Sequence, residues 1–242
     1  MNSEHMNLLR SALKTLNILV TPQQIEKLSF YQNMVLEENK NINLTSITDE
    51  KEFIIKHFID SVMCASFSRM KDSNNIIDIG TGAGFPGIPL SIIFEDKRFF
   101  LLDSLNKRIQ FLSKVTKKLN INNVKMYHGR AEDLGKDKDH REKYDLCLSR
   151  AVAKLSVLSE YCLPFVKING YFAAYKSRNI EQEIVESYNA IEILGGVIEK
   201  QSYTSSIADY PLEHQIIYIH KIKHTPQKYP RKAGMPLKNP LK

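Results

Sequence analysis

No stretch of this chain approaches 18 consecutive apolar residues, so nothing in it reads as a membrane-spanning helix. Its opening residues, MNSEHMNLLRSALKTL, lack an apolar core and a small-residue cleavage site, so they do not read as a signal peptide and a cytoplasmic location is expected. Cysteine is scarce: Cys64, Cys147 and Cys162 are odd in number, widely spaced and without a C-x-x-C pair, which argues against both a disulfide framework and a zinc site. Each is expected to be a small buried apolar residue. No group of His, Asp and Glu has the spacing of metal ligands, and no metal is expected. His57, Asp60 and Ser61 are the residue types of a hydrolytic triad, but they fall within one helical turn. Side chains so close on one helix do not form the orienting chain a triad needs, and hydrolysis is set aside.

Acid is missing from the C-terminal end. From Lys221 to Lys242 there are seven basic residues (Lys221, Lys223, Lys228, Arg231, Lys232, Lys238, Lys242) and no Asp or Glu, so the whole net charge of +7 sits there. Charge runs are usually solvated faces. This one also carries Tyr229, Met235, Leu237 and four prolines (Pro226, Pro230, Pro236, Pro240), a composition that suits an extended strip along a phosphate backbone. Nucleic-acid contact is therefore expected of Lys221, Lys223, Lys228, Arg231, Lys232 and Lys238. If all seven charges met phosphates, the slope of log K against log salt would be about −5 for a single strand.

What is present is organised around IIDIGTGAGFPGIPL, Ile76 to Leu90. Apolar residues interrupted only by Asp78 predict a buried strand, and the glycines that follow predict a turn into an apolar helix. Glycine there allows positive φ and the approach of a ligand to the backbone, and the helix N-terminus is expected to aim N–H groups at an anionic part of that ligand. Two cofactor fingerprints fit. Gly82, Gly84 and Gly87 match the dinucleotide pattern G-x-G-x-x-G, while Gly80, Gly82 and Gly84 match the G-x-G-x-G loop of S-adenosylmethionine enzymes. Asp78 favours the second, because a carboxylate there suits a methionine ammonium and repels a pyrophosphate. Pro86 and Pro89 sit where a first helical turn tolerates proline. Asp103, 19 residues after Gly84, is placed to hold ribose hydroxyls in either case.

The 242 residues, 43% hydrophobic and 25% charged, suit one large α/β domain, or one such domain with a small appendage. Helices are expected over residues 6–18, from a capping box at Thr21-Pro22-Gln23-Gln24 to about Lys40, and over Asp49 to Phe67. Strands are expected at Phe99 to Asp103, Val124 to His128, Tyr144 to Leu148, Tyr171 to Tyr175 after a turn at Gly170, Val197 to Tyr203 and His214 to Ile222, with helices interleaved. Gly129-Arg130-Ala131-Glu132-Asp133, after the third strand, is either a loop reading an adenine edge or an ordinary turn with a capping acid. The last two strands have no helix between them, which breaks the β-α alternation and predicts a late antiparallel strand. A mostly parallel, Rossmann-like sheet with one such strand is the class I S-adenosylmethionine methyltransferase architecture. The expected division is a helical cap (1–70), a methyltransferase core (71–222) and a basic tail (223–242).

At this point the motifs themselves resemble a family. NLTSI (Asn43 to Ile47), H-x-x-D-S (His57, Asp60, Ser61), DIGTGAGFPGIPL (Asp78 to Leu90), GRAE (Gly129 to Glu132), SRA (Ser149 to Ala151) and YPRKAGMPLKNPL (Tyr229 to Leu241) are similar to those of the RsmG/GidB family. These are bacterial 16S ribosomal RNA guanine-N7 methyltransferases. The resemblance implies that Gly80, Phe85, Asp103, Ala131, Glu132 and Arg150 border the S-adenosylmethionine pocket, with Gly82 and Gly84 shaping the loop. It implies 16S rRNA or the small ribosomal subunit as partner, and a monomer is expected. Methyltransferases of exocyclic amines commonly carry D/N-P-P-F/Y after strand four; Ser149-Arg150-Ala151-Val152 stands here instead. Guanine N7 has a free lone pair and no proton, so in-line attack needs no general base and catalysis is mainly alignment, worth roughly 7–11 kcal/mol in favourable cases. Arg130 and Arg150 are acceptor-pocket candidates, expected to hold O6, phosphate or the cofactor carboxylate rather than N7. The charged loop Gly135 to Lys143 has no assigned role.

Overall fold

The computed structural model describes residues 1–150, 153–177, 180–202, 206–207, 210–212 and 214–241. Helices α1 (Ser3–Thr15) and α2 (Pro22–Glu38) open the chain. At the start of α2 the Gln24 N–H donates to the Thr21 hydroxyl and the Thr21 N–H to Gln24 Oε1, completing the capping box with Pro22 in the first helical position.

Residues 49 to 67 are not the continuous helix that their periodicity predicts. They form α3 (Glu50–Phe53), a π-helical turn (Ile54–Ile59), α4 (Asp60–Val62) and a 3-10 turn (Met63–Ser66) before α5 (Ser68–Asp72). Two carbonyls of this turn accept side-chain donors. The Lys56 carbonyl accepts from Arg150 Nη1 at 2.9 Å, and the His57 carbonyl accepts the Ser61 hydroxyl.

Alternating strands and helices follow: β1 (Asn75–Ile79), α6 (Gly87–Ile93), β2 (Arg98–Asp103), α7 (Asn106–Lys118), β3 (Val124–His128), α8 (Ala131–Leu134), β4 (Tyr144–Ser149), α9 (Leu155–Cys162), β5 (Val166–Ser177) and α10 (Glu181–Ile193). Then come β6 (Gly196–Ser202), the short pair β7 (Ser206–Ile207) and β8 (Tyr210–Pro211), β9 (His214–Lys221) and the single turn α11 (Met235–Lys238). Tyr203, expected to end a strand, lies outside the described residues, as do Ala151, Val152 and Lys242.

The main sheet has the order β3-β2-β1-β4-β5-β9-β6, parallel except for β9, which runs antiparallel to both neighbours. The predicted late reversal is therefore present, and it is inserted between β5 and β6. β5 begins four residues before the expected turn at Gly170. Gly170 instead sits inside the strand, where a Cβ would lie 2.7 Å from the Asp145 carbonyl.

Strand alternation divides the core in two. Ile76, Leu101 and Leu146 pack with α6, α7 and the N-terminal helices, while Ile77, Ile79, Leu102 and Cys147 face the side of α9 and α10. The N-terminal helices reach under the glycine loop as well as covering the sheet: the buried Tyr31 hydroxyl donates to the Ala83 carbonyl at 2.7 Å. All three cysteines are buried and unpaired.

Candidate active site

Strand order reverses between β1 and β4, and the crevice outside the carboxyl ends of the strands at such a point is where open α/β sheets bind ligands. The Ser149 hydroxyl donates to the Ile79 carbonyl at 2.9 Å and ties the two strand ends together. Beside this tie lies a cavity of about 430 Å³. Gly80 lines it after β1, Asp103 and Leu105 after β2, Arg130, Ala131 and Glu132 after β3, Tyr161 from α9, and Gly234 and Leu237 from the C-terminal segment. Of the residues singled out in the sequence, Gly80, Asp103, Arg130, Ala131 and Glu132 meet here; Asp78, Gly82, Gly84, Phe85 and Arg150 do not line it.

Asp78 has a different task from the one expected. Alternation along β1 turns it to the same face as Ile76, beneath α6, where it is buried. Its Oδ2 accepts from the Thr81 hydroxyl at 2.7 Å and the Gly87 N–H at 3.0 Å, while Oδ1 is buried without a hydrogen-bond partner. Burial pushes its carboxyl up to about 6. Because this carboxylate already takes the Gly87 N–H, the start of α6 does not offer that donor to an anionic ligand. The N–H groups of Gly80 and Thr81 go to Leu102, those of Gly84 and Phe85 to Thr81, and that of Gly82 to Asp103. With these N–H groups and that of Gly87 committed, the loop offers little to a pyrophosphate, which argues against the dinucleotide alternative.

The glycines divide by task. A Cβ on Gly84 would stand 2.6 Å from Ile88 Cγ1, and one on Gly87 would stand 2.2 Å from Leu101 Cδ2. Those two serve packing. Gly82 has φ +62°, and a Cβ there would meet nothing nearer than the Gly80 carbonyl at 4.0 Å, so it leaves open space above the loop. Asp103 holds this loop from the side: Oδ2 accepts from the Gly82 N–H at 2.9 Å and from Arg108 Nη1 at 3.3 Å, and Oδ1 accepts from the Leu105 N–H at 2.9 Å. A cavity with a carboxylate at the end of β2 and no phosphate cradle fits an adenosyl group without phosphates.

Phe85 and Arg150 belong to a neighbouring cluster that joins the N-terminal helices to the ends of β4 and β9. Phe85 is buried and stacks on the His57 ring, centroids 4.3 Å apart, and the Arg150 guanidinium lies 5.1 Å from the Phe85 centroid. Arg150 donates to Asp60 Oδ2 at 2.8 Å and to His57 Nδ1 at 3.1 Å. An accepting Nδ1 places the imidazole proton on Nε2, which donates to the Thr45 hydroxyl at 2.7 Å. Burial, and then the Arg150 charge, push the His57 imidazole down to about 3, so it is neutral. Burial alone would raise the Asp60 carboxyl, but the His214 imidazole, 2.9 Å from Oδ1, and Arg150 hold it below the usual carboxylate range. Thr45, His57, Asp60, Arg150 and His214, drawn from separate motifs, thus form one hydrogen-bonded polar joint. In it His57, Asp60 and Ser61 are hydrogen-bonded as scaffold.

The basic C-terminal segment is not a free strip. Lys221 is fully buried: its Nζ donates to the Leu163 carbonyl at 2.8 Å and to the Thr225 hydroxyl, and lies 3.4 Å from Glu142. Arg231 is clamped on the buried Glu160 of α9. Those two cations are corrected from nucleic-acid ligands to internal anchors; Lys223, Lys228, Lys232 and Lys238 remain exposed. The charged loop 135–143 holds the segment between Thr225 and Tyr229. Arg141 donates to the carbonyls of Gly135, Thr225 and Tyr229, and Glu142 accepts the Thr225 N–H at 2.8 Å. Further along, the Gly234 N–H donates to Glu132 Oε1 at 2.8 Å. Sequence reasoning missed Leu105, Tyr161, Gly234 and Leu237. Only the glycine in the tail motif gave a local hint.

Among the described residues no group of three or more His, Cys, Asp or Glu is placed to hold a metal, and no helix is long and apolar enough to cross a membrane.

Comparison with known proteins agrees with this geometry. The family profile described as rRNA small subunit methyltransferase G matches residues 24–209. The protein named ribosomal RNA small subunit methyltransferase G from Alkaliphilus metalliredigens is 46% identical over 240 residues, covering 99% of this chain and 100% of that protein. The protein of the same name from Clostridium tetani is 47% identical over 239 residues, with the same coverage of each. In fold, the chain is similar to the crystal structure of a SAM-dependent O-methyltransferase from Thermotoga maritima (TM-score 0.52, 16% identity), over 78% of this chain and 72% of that one.

Proposed function

The chain belongs to the rRNA small subunit methyltransferase G family, and on that premise we propose that it methylates N7 of a guanine in 16S rRNA, with S-adenosylmethionine as methyl donor. The observation that carries the reading is the Asp103 carboxylate lining a cavity beside a glycine loop whose N–H groups at Gly80, Thr81, Gly82, Gly84, Phe85 and Gly87 are already committed within the chain. Asp103 would hold the ribose hydroxyls, and Ala131 and Glu132 would border the adenine. Gly80 and Gly82 would leave room for the methionine end, while Gly84, Phe85, Asp78 and Arg150 brace the loop from behind.

The bound cofactor supplies a methyl group on a positively charged sulfur. What the chain adds is alignment. The carboxylates lining the cavity, Asp103 and Glu132, are both engaged by backbone N–H groups, and His57 is buried, neutral and hydrogen-bonded at both ring nitrogens. None of them is arranged as a general base, which suits an acceptor atom that has no proton to lose. Exposed Arg130 at the cavity lining, with Lys223, Lys228, Lys232 and Lys238, supplies cations for the RNA backbone and for guanine O6. Ribosomal RNA is made and assembled in the cytoplasm, and this reading has the chain working there.

The test is transfer of labelled methyl from S-adenosylmethionine to unmethylated small ribosomal subunits and to free 16S rRNA, followed by chemical cleavage at 7-methylguanine. A single cleavage in a loop of 16S rRNA is expected. Transfer to another atom or another RNA would overturn the acceptor, and no transfer with the cofactor bound would overturn the activity.

A further inference from the structure

The cavity has a wall that neither the glycine loop nor the strand ends supply. We propose that residues 231–238 form a strap closing the cofactor cavity, with the Leu237 side chain laid against the adenosine end of S-adenosylmethionine. The inference rests on the cofactor reading above and adds to it a part of the chain expected only to touch RNA.

The strap is fixed at its start. Arg231 is bound through its N–H and guanidinium to Glu160, on the same helix as the cavity residues Leu158 and Tyr161. Gly234 then takes φ +80°, with nothing within 4 Å of where a Cβ would stand, so glycine is required by the backbone turn and not by crowding. That turn aims the Gly234 N–H at Glu132, a carboxylate already on the cavity wall. It also carries Leu237 to the cavity.

Two large apolar side chains line this cavity while strongly exposed: Leu237 at 64% and Leu105, just after Asp103, at 43%. Their nearness to a ribose-binding carboxylate points to a flat apolar ring as the group that covers them. Adenine has two such faces, with a polar edge for the backbone and acid of residues 131–132. Lys232 and Lys238, on the same strap, are exposed to solvent, so the segment has an inner task and an outer one.

The test is calorimetric titration of the full chain with S-adenosylhomocysteine and with 5′-methylthioadenosine, which has the adenosine end alone, together with hydrogen exchange of residues 231–238. Leu237→Ala is expected to weaken both ligands about tenfold, since loss of apolar contact in a pocket is worth that much. The unfolding temperature of the ligand-free protein should not move, because Leu237 is exposed there, and either ligand should slow exchange in the strap. Normal affinities for Leu237→Ala with no added protection would overturn the strap and leave the cofactor reading intact. Weaker S-adenosylhomocysteine with unchanged 5′-methylthioadenosine would overturn the placement at adenosine. Failure of the unaltered chain to bind either ligand would overturn the cofactor reading itself, and the strap with it.

Discussion

Arg231 and Glu160 form a closed ion pair between the C-terminal segment and α9. The Arg231 N–H and Nε donate to Oε1 at 2.8 and 2.9 Å, and Nη2 donates to Oε2 at 2.6 Å. The carboxylate has no exposure to solvent, and the Glu160 hydrogen bonds hold the guanidinium above its usual range. Removing one partner of such a pair strands the other. Arg231→Ala, which leaves the buried Glu160 carboxylate unpaired, is expected to lower stability by about 3 kcal/mol and to open the segment after Tyr229 to protease. Urea unfolding and limited proteolysis check this; parental stability with a protected segment would sink it.

The salt dependence of RNA binding should come from the lysines that remain outside. Replacing Lys223, Lys228, Lys232 and Lys238 together by alanine should flatten the slope of log K against log salt by about 3. Lys221→Met should leave that slope unchanged, because burial, which pushes this lysine down to about 8, also keeps it from phosphate. Filter binding over a salt series decides between them. A slope that moves with Lys221→Met would return that residue to the RNA face.

Two glycines of one loop should fail in different ways. Gly87→Ala sets a methyl against Leu101 and Asp78 and is expected to cost about 1–3 kcal/mol of stability by overpacking. Gly82→Ala meets open space and only a positive φ, worth about 1 kcal/mol, so its main loss should be in affinity for S-adenosylhomocysteine. Thermal unfolding and ligand titration of the two variants separate these outcomes; equal stability losses with equal affinities would refute the division.

His57 sets an acid limit. Its imidazole is about 3 in the folded chain against 6.5 in a free one, so the unfolded chain binds the proton first and stability is lost as pH falls below 6.5. Each pH unit in that window costs about 1.4 kcal/mol. Asp78, pushed up to about 6, works in the opposite sense but is shared by parent and variant. His57→Gln should therefore lose less stability than the parent between pH 7.5 and 5. Equal losses in urea unfolding at the two pH values would show that His57 takes up its proton without unfolding.

Much of the architecture was legible because it rests on local rules. The capping box at Thr21 and Gln24, the apolar runs of β1 and β2, the glycines before α6 and the missing helix before β9 each state a backbone conformation within a few residues. The interval from Gly84 to Asp103 likewise placed a carboxylate at the end of the second strand. These signals, with the motifs from Asn43 to Leu241, were enough for the sheet, the family and the cofactor.

What the tertiary structure alone decided was where charged groups spend their charge. Counting basic residues in the tail does not reveal that Lys221 meets Glu142 or that Arg231 meets Glu160, partners 79 and 71 residues away in the chain. The π-helical turn at Ile54–Ile59 lies beside Arg150, from beyond β4, which donates to one of its carbonyls. The direction of Asp78 follows from which face of β1 α6 covers. Composition and periodicity determine how each segment bends and which face is apolar; the pairing of a buried charge depends on which segments pack together, and that is set by the whole core at once.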